Sequence, residues 1–232
     1  MWSDKKKAVT FSFDDNVTQD VRLVEILNRY GLKSTFNLNS GLIGTENYLI
    51  RNNVRVCHIK NVAEQIPLIY AGHEIAAHTL THPSLPTLPD EEVIRQVEED
   101  RLALSQLCGY EVVGMAYPGG GVNNDERVAE LIRKHTGIRY ARTITSTYRF
   151  DRQEDLIRFQ PSVYYIEDCL FDTARRFLET ESEEPQLLYI WGHSYEMDAG
   201  FISWERFEEL CRLLAGRDDV FYGTNAQVLL DQ

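Results

Sequence analysis

Positive charge is scarce in this sequence. Its 232 residues include 24 lysines and arginines but 36 aspartates and glutamates, and the formal net charge is −12. A chain with this balance repels a nucleic acid or a strongly anionic substrate over long range, so neither is an expected partner. No basic cluster accompanies the glycine-rich turn at residues 118–121, which disfavours a phosphate-handling barrel.

Cysteine is also scarce, and its spacing excludes two kinds of site. The four cysteines are Cys57, Cys108, Cys169 and Cys211. None belongs to a C-x-x-C pair, so a thiolate zinc site is not expected. Their scatter through a chain of this length favours free thiols over a disulfide framework.

Long apolar runs are missing as well. No segment reaches membrane-spanning length, and the first seven residues lack the apolar stretch that a signal peptide needs. We therefore expect a soluble, cytoplasmic protein from the chain as written, without a membrane partner, although a chain trimmed of a leader would look the same. Because no repeat, low-complexity tract or linker interrupts the chain, residues 1–232 are predicted to form one catalytic domain.

Strand-like runs alternate with helix-like runs. This alternation predicts an α/β fold with a parallel sheet, and the number of runs predicts a single distorted (β/α) barrel with seven or eight parallel strands. The predicted strands cover 8–13, 33–38, 74–77, 112–117, 140–144, 156–161, 187–191 and 220–222. The predicted helices cover 20–30, 89–107, 125–135, 167–180 and 203–214. Residues 47–59 are predicted to form a hairpin that elaborates a loop.

Polar clusters follow four of the predicted strands. They are Asp14-Asp15, the run from His78 to His82, the turn Pro118-Gly119-Gly120, and His193. In an α/β barrel the C-terminal ends of the strands share one face, where active sites are built. We therefore expect these clusters to meet in one mouth.

His78 and His82 have the spacing of a metal site. Two histidines at i and i+4 can present both imidazoles on one side of a turn, and Pro83 disfavours helical geometry there. An adjacent carboxylate would complete a His/His/Asp site with open positions, which suits a hydrolytic metal. Of Asp14 and Asp15, one can bind metal while the other serves as a base, or one can cap the following helix.

The two other clusters have a functional and a plain interpretation. The glycines after Pro118 permit close approach of the backbone to a ligand, or form an ordinary turn. His193 follows an apolar strand and can act as an acid or base near neutral pH. Tyr195 and Glu196, just after it, can contact substrate or belong to a loop.

These motifs in this order resemble the polysaccharide deacetylase family, carbohydrate esterase family 4, with its chitooligosaccharide deacetylase (NodB) homology domain. The resemblance rests on the acidic pair, the run Gly72–Pro83, the Pro-Gly turn and the late histidine, and it extends from Val9 to about Tyr222. It implies a distorted (β/α) barrel. It also implies that Asp14 is the general base, that His193 is the general acid, and that the Gly119 N–H binds the oxyanion.

The resemblance further implies one divalent metal. Its ligands would be Asp15, His78 and His82. A His/His/carboxylate set suits zinc, and also cobalt, nickel or iron.

The sequence departs from the family pattern at three places. Asn16 replaces a glycine, Ala116 stands where an arginine normally pairs with the base, and the late acid that tunes the histidine is not found. Arg142 could reach the mouth and supply the missing charge, or it could be a surface arginine. The candidate substrate contacts are Tyr117, Pro118, Arg142, Trp191 and Tyr195.

The function implied is a metal-dependent hydrolase that removes N-acetyl or O-acetyl groups from a carbohydrate or small acetamide. Two alternatives stay open. One is hydrolysis of another non-peptide C–N bond on the same metal barrel. The other is a catalytically inactive, carbohydrate-binding relative.

Overall fold

The computed structural model describes residues 2–230, in which strands and helices alternate. The strands are β1 (Lys7–Asp14), β2 (Ser34–Leu38), β3 (Tyr48–Arg51), β4 (Val54–Cys57), β5 (Glu74–Ala77), β6 (Gly114–Ala116), β7 (Tyr140–Arg142), β8 (Val163–Tyr164), β9 (Gln186–Gly192) and β10 (Val220–Tyr222). The helices are α1 (Asp20–Arg29), α2 (Ile66–Ile69), α3 (Asp90–Cys108), α4 (Glu126–His135), α5 (Leu170–Glu179), α6 (Tyr195–Asp198), α7 (Trp204–Leu214) and α8 (Asn225–Leu229). None of the helices in this part of the chain is both long and apolar enough to cross a membrane.

One parallel sheet organises the fold. Its strand order is β7-β6-β5-β2-β1-β9-β8, and β10 pairs with the beginning of β1. The sheet curls so that its two edges approach each other. Phe159 forms a bridge to Arg142 of β7, at one edge, and only four residues later Val163 of β8, at the other edge, pairs with Ile190 of β9. The predicted distorted barrel of seven or eight parallel strands is confirmed.

The alternation of side chains along β1 separates two apolar cores. Phe11 and Phe13 face the helices and meet Phe207 of α7, with ring centroids 6.1 and 5.9 Å apart. Ala8 belongs to the second core, inside the barrel, with tyrosine and tryptophan side chains of β7 and β9 and apolar residues of α8. Since successive residues of a strand point to opposite faces, Asp14 also faces the interior.

One predicted strand, at residues 156–161, is wrong. Leu156–Arg158 is a 3-10 helix, because the Asp155 carboxylate accepts hydrogen bonds from the backbone N–H groups of Ile157 and Arg158, at 3.1 and 3.2 Å. Pairing with β7 starts only at Phe159, whose N–H donates to Ala141 O at 3.0 Å.

Other element boundaries shift by a few residues. Asp125 and Ser203 are N-caps rather than helical residues, since their side chains accept bonds from backbone N–H groups of the first turn. Helix α5 begins at Leu170, three residues later than predicted.

The predicted hairpin at residues 47–59 is confirmed as the antiparallel pair β3–β4. It is fastened to the short helix α6 and the residues that follow. Asn52 Nδ2 donates to Ala199 O at 3.1 Å, and Leu49 and Val56 pack with Tyr195 and Ala199. The hairpin therefore has a fixed position beside the mouth of the barrel.

A buried carboxyl group ties α1 to the end of β9. Asp20 is 0 % exposed and accepts hydrogen bonds from Tyr70 Oη and Ser194 Oγ, both at 2.6 Å. Burial raises the pKa of Asp20 to about 7, against the effect of these two bonds. Folding therefore favours the protonated form of this group.

We predict that Asp20→Asn removes a pH-dependent loss of stability. Because the folded-state pKa is raised, wild type loses stability as the pH rises from about 4 to about 7, whereas the amide does not titrate. The difference in unfolding free energy between variant and wild type should grow in favour of the variant by up to roughly 4 kcal/mol, at about 1.4 kcal/mol per pH unit. Denaturant unfolding at several pH values measures this difference, and a constant offset between the two curves would contradict it.

Candidate active site

A cavity of about 660 Å³ opens at the C-terminal ends of β1, β5 and β9. The residues predicted from the sequence that line it are Asp14, Asp15, His78, His82, Tyr117, Gly119, Trp191, His193 and Tyr195. Pro118 is buried outside this lining. The barrel thus brings into one cavity four polar clusters that are far apart in the sequence.

Asp14, at the end of β1, is 2 % exposed and closely held. Arg142 Nη2 donates to its two oxygens at 2.6 and 2.5 Å, and Asn37 Nδ2 donates to Oδ1 at 2.8 Å. Burial raises the pKa of Asp14, but the Arg142 guanidinium, with the nearby His193 imidazolium, outweighs burial and holds the pKa below its usual value. The carboxylate is therefore ionised at neutral pH and free to accept a proton.

Arg142 supplies the positive charge beside Asp14 that Ala116, at the position of the family's arginine, cannot supply. It ends β7, which pairs with β6, the strand that carries Ala116. Its side chain is 0 % exposed, and its guanidinium lies 4.4 Å from the centre of the Trp191 ring. The guanidinium is enclosed between Asp14 and Trp191, and Arg142 is not among the residues that line the cavity, so its contact with substrate stays a prediction.

Asp15, His78 and His82 form a compact group of potential metal ligands. One donor atom from each lies within 4.8 Å of the others. His78 Nδ1 donates to Ala116 O at 2.8 Å, so its Nε2 is the free nitrogen. This Nε2 is buried and has no hydrogen-bond partner within residues 2–230. Burial lowers the pKa of His78 to about 4, so the imidazole is neutral, as a metal ligand must be.

Helix α3 holds the loop that carries the two histidines. Asp100 accepts hydrogen bonds from the N–H of His78 at 2.9 Å and from the N–H of Ser40 at 2.6 Å. The backbone carbonyl of Gln96 accepts a hydrogen bond from the N–H of Leu80 at 2.9 Å. No local pattern in the sequence indicates these partners, since Asp100 is 22 residues from His78.

Backbone strain is concentrated at the same place. Asp15, Thr79 and His82 have φ values of 87°, 69° and 60°, in the left-handed region that residues other than glycine rarely adopt. Such strain persists only where the surroundings impose it, and it is characteristic of functional sites. Two of the three potential metal ligands are thus held in conformations that an unconstrained loop would leave.

Two cationic or potentially cationic residues that the sequence analysis did not single out contact Asp15. Lys60 Nζ lies 3.2 Å from Asp15 Oδ1, and His58 Nε2 lies 3.3 Å from Oδ2. Burial raises the pKa of Asp15, but the His58 hydrogen bond and the Lys60 charge lower it well below its usual value. Asp15 is therefore an anion, which is the charge state that a carboxylate metal ligand needs.

His193 and His78 both lie close to the Asp14 carboxylate. His193 Nε2 lies 3.8 Å from Asp14 Oδ2, while His78 Nε2 lies 3.9 Å from the same oxygen. His193 Nδ1 lies 3.2 Å from Glu196 Oε1. Burial lowers the pKa of His193, but Glu196, with Asp14 and Asp15, outweighs burial and raises the pKa to about 9.

Glu196, which the sequence analysis considered only as a substrate contact or a loop residue, is thus the acid that pairs with His193. Besides its contact with the imidazole, Glu196 Oε2 accepts a hydrogen bond from His193 N at 3.1 Å, and Oε1 accepts one from the Tyr164 hydroxyl. The available signal was the i, i+3 spacing from His193, which brings two side chains together on a helical turn.

Aromatic side chains form one wall of the cavity. Trp191 stacks on Tyr164 with ring centroids 4.1 Å apart, and the Tyr195 ring lies 5.0 Å from the His193 ring. Tyr117 is anchored through its hydroxyl, which donates to Ile157 O at 2.9 Å. Gly119 lines the cavity with a φ of 80°, which glycine adopts without strain.

Comparison with solved structures identifies proteins of the same fold. Peptidoglycan deacetylase PdaC from Bacillus subtilis has 17% identity and a TM-score of 0.54, with 96% of this chain and 90% of that chain covered. A family 4 pseudoenzyme from Bacillus anthracis, BA3943, has 17% identity and a TM-score of 0.55, with 98% and 66% covered.

The deacetylase PplD of Streptococcus pyogenes has 20% identity and a TM-score of 0.51. The match covers 62% of this chain and 58% of the streptococcal chain. At these identities the likeness concerns the fold. The sequence model of the polysaccharide deacetylase family matches residues 3–141, more than half of the chain, including the acidic pair and both clustered histidines. The chain therefore belongs to the polysaccharide deacetylase family.

Proposed function

We propose that this protein is a metal-dependent deacetylase that hydrolyses an N-acetyl or O-acetyl bond, with an N-acetyl amide on a carbohydrate or small acetamide as its main substrate. One observation carries the proposal. Beside the ligand group formed by Asp15, His78 and His82 lies a second acid, Asp14, held ionised by a buried arginine, and 3.8 Å from it lies His193, paired with its own carboxylate. A metal site, a base and a proton donor are together what metal-assisted hydrolysis of an amide uses.

Asp15, His78 and His82 would hold the metal. The anionic carboxylate, the unpartnered Nε2 of His78 and the half-buried imidazole of His82 fit a divalent ion, and the donor set suits zinc first. When bound, such an ion lowers the pKa of its water and polarises an acyl oxygen.

The other polar residues of the cavity would move protons and bind charge. Asp14 accepts the proton of the attacking water, and Arg142 keeps it in the ionised form that this requires. His193 donates a proton to the leaving nitrogen, since an amine departs poorly as an anion. The Gly119 N–H is proposed to bind the developing oxyanion, a contribution of about 3 kcal/mol for one donor.

The two rival functions remain distinguishable. An inactive carbohydrate-binding relative has no physical need for an acid kept ionised and an imidazole kept protonated, and both are present here. Hydrolysis of another C–N bond would use the same residues. Parallel assays on an N-acetylated chitooligosaccharide and on small cyclic amides separate it from deacetylation.

We predict that His78→Ala and His82→Ala each reduce metal binding and that the double variant abolishes it. Elemental analysis of dialysed protein should give about one divalent ion per wild-type chain and none in the double variant, with far-UV circular dichroism unchanged. His135→Ala serves as control, because His135 is exposed at the end of α4. Stoichiometric metal in the double variant would disprove the ligand assignment.

Asp14→Asn should retain the metal and lose about 10²–10⁴-fold in kcat, the usual contribution of a general base. Because the variant leaves the Arg142 charge buried without a counter-ion, its melting temperature should fall too, so rates are compared below the melting temperature of both proteins. Acetate release measures the effect. Wild-type activity in this variant would exclude Asp14 as the base.

Glu196→Gln should move the alkaline limb of the pH profile of kcat/KM to lower pH. The general acid must be protonated, so activity falls as the pH rises through its pKa. The Glu196 carboxylate raises that pKa, and the neutral amide does not. Asp198→Asn, a nearby acid that contacts Gln19 and Trp204, is the control and should leave the limb in place. An unmoved limb in Glu196→Gln would show that His193 is not the group that titrates.

A further inference from the structure

The cavity contains one cationic side chain whose charge has no partner. Among the described residues that line the cavity, the lysine and arginine side chains are Lys60 and Arg51. Lys60 is 4 % exposed and bound to Asp15. Arg51 has no carboxylate within 4.0 Å anywhere in residues 2–230, and its hydrogen bond is to the neighbouring Ile50 O at 3.3 Å.

The acids of the cavity are all engaged elsewhere. Asp14 is paired with Arg142, and Asp15 with Lys60. Glu196 accepts from the Tyr164 hydroxyl and lies against the His193 imidazole. In a protein with a net charge of −12, Arg51 is therefore left facing the cavity without an internal anion.

Arg51 lies on the side of the cavity where the amine half of a bound substrate is expected. It ends β3 in the hairpin fixed to α6, and it lies on the same strand face as Leu49, which packs with Tyr195 and also lines the cavity. Burial raises the pKa of Tyr195, and the Arg51 guanidinium acts against that rise, which reflects their proximity. The Tyr195 ring lies 5.0 Å from the His193 ring. Arg51 is thus one aromatic ring away from the proposed proton donor to the leaving amine.

We propose that Arg51 determines specificity by binding a carboxylate on the amine half of the substrate, so that the preferred substrate is an N-acetylated amine, such as an acidic amino sugar, with a carboxylate near its nitrogen. A guanidinium binds a carboxylate through two parallel N–H···O bonds, which gives orientation as well as affinity. The inference rests on the proposed function, because it uses His193 to identify the amine side. A single carboxylate in this local contact differs from a polyanion, which the net charge repels.

The test compares three probes that share one sugar ring. N-acetylglucosamine has no carboxylate, N-acetylmuramic acid has one on the amine half, and N-succinylglucosamine has one on the acyl half. Wild type should prefer N-acetylmuramic acid over N-acetylglucosamine roughly ten- to hundredfold in kcat/KM, mainly through KM, as expected for a hydrogen bond to a charged group. Arg51→Met should reduce this ratio to about one.

Arg55→Met is the matched control. Arg55 lies on the other strand of the same hairpin, stacked 4.0 Å from the centre of the Tyr48 ring, and it does not line the cavity. This variant should keep the wild-type ratio. The inference is wrong if wild type shows no preference for N-acetylmuramic acid, or if Arg51→Met keeps that preference. It is also wrong if N-succinylglucosamine shows as large an increase in kcat/KM over N-acetylglucosamine as N-acetylmuramic acid does.

Calorimetric binding of the three probes separates this inference from the proposed function. If wild type binds N-acetylmuramic acid more tightly than the other two probes and Arg51→Met does not, carboxylate recognition stands even where no acetate is released. In that case deacetylation is the proposal that fails. Equal binding of the three probes to wild type would overturn the role of Arg51 whatever the turnover.

Discussion

The buried ion pair between Asp14 and Arg142 is the interaction on which the rest of the site depends. Removing one member of such a pair leaves an uncompensated charge in a low-dielectric interior, at a cost of about 3–5 kcal/mol. The two residues end β1 and β7, strands that are not neighbours in the sheet, so their contact crosses the barrel interior. The curling of the sheet and the ionised state of the acid are therefore coupled. A barrel that opened would separate the charges, and an acid that lost its charge would leave the arginine unpaired.

Beneath this pair the barrel is filled by a chain of polar groups rather than by an apolar core alone. Asn37 donates to Asp14 and to Ser12, Asn225 of α8 donates to Ser12, and the Asn225 N–H donates to Thr35. Each of these groups is buried, so each needs its partner. This network of hydrogen bonds in the barrel interior fixes the position of the C-terminal end of β1. Small errors in the position of Asp14 are thereby limited, and this matters for its proposed role because a general base acts only within hydrogen-bond reach.

Similarity of fold does not decide whether a member of this family is active, since one protein of the same fold is a pseudoenzyme and a mutant of it has restored activity. Chemistry is carried by the side chains of a site and not by the fold itself. This sequence lacks two charged residues of the family motifs, an arginine beside Asp14 and an acid beside His193. Arg142 on β7 and Glu196 after β9 place charges beside these two residues from other positions. The same arrangement of charges can therefore be assembled when individual motif residues move, provided that the fold returns each charge to the same place.

The sequence by itself determined the parallel barrel, the hairpin and the gathering of Asp14, His78 and His193 at one mouth, because strand period, glycine and proline positions and motif order are local signals. The strand predicted at 156–161 was wrong because two capping bonds to the Asp155 carboxylate outweighed the apolar pattern. Only the tertiary structure decided that Arg142 faces an acid 128 residues away. Which charges pair depends on the three-dimensional path of the chain, and no periodicity in the sequence records it.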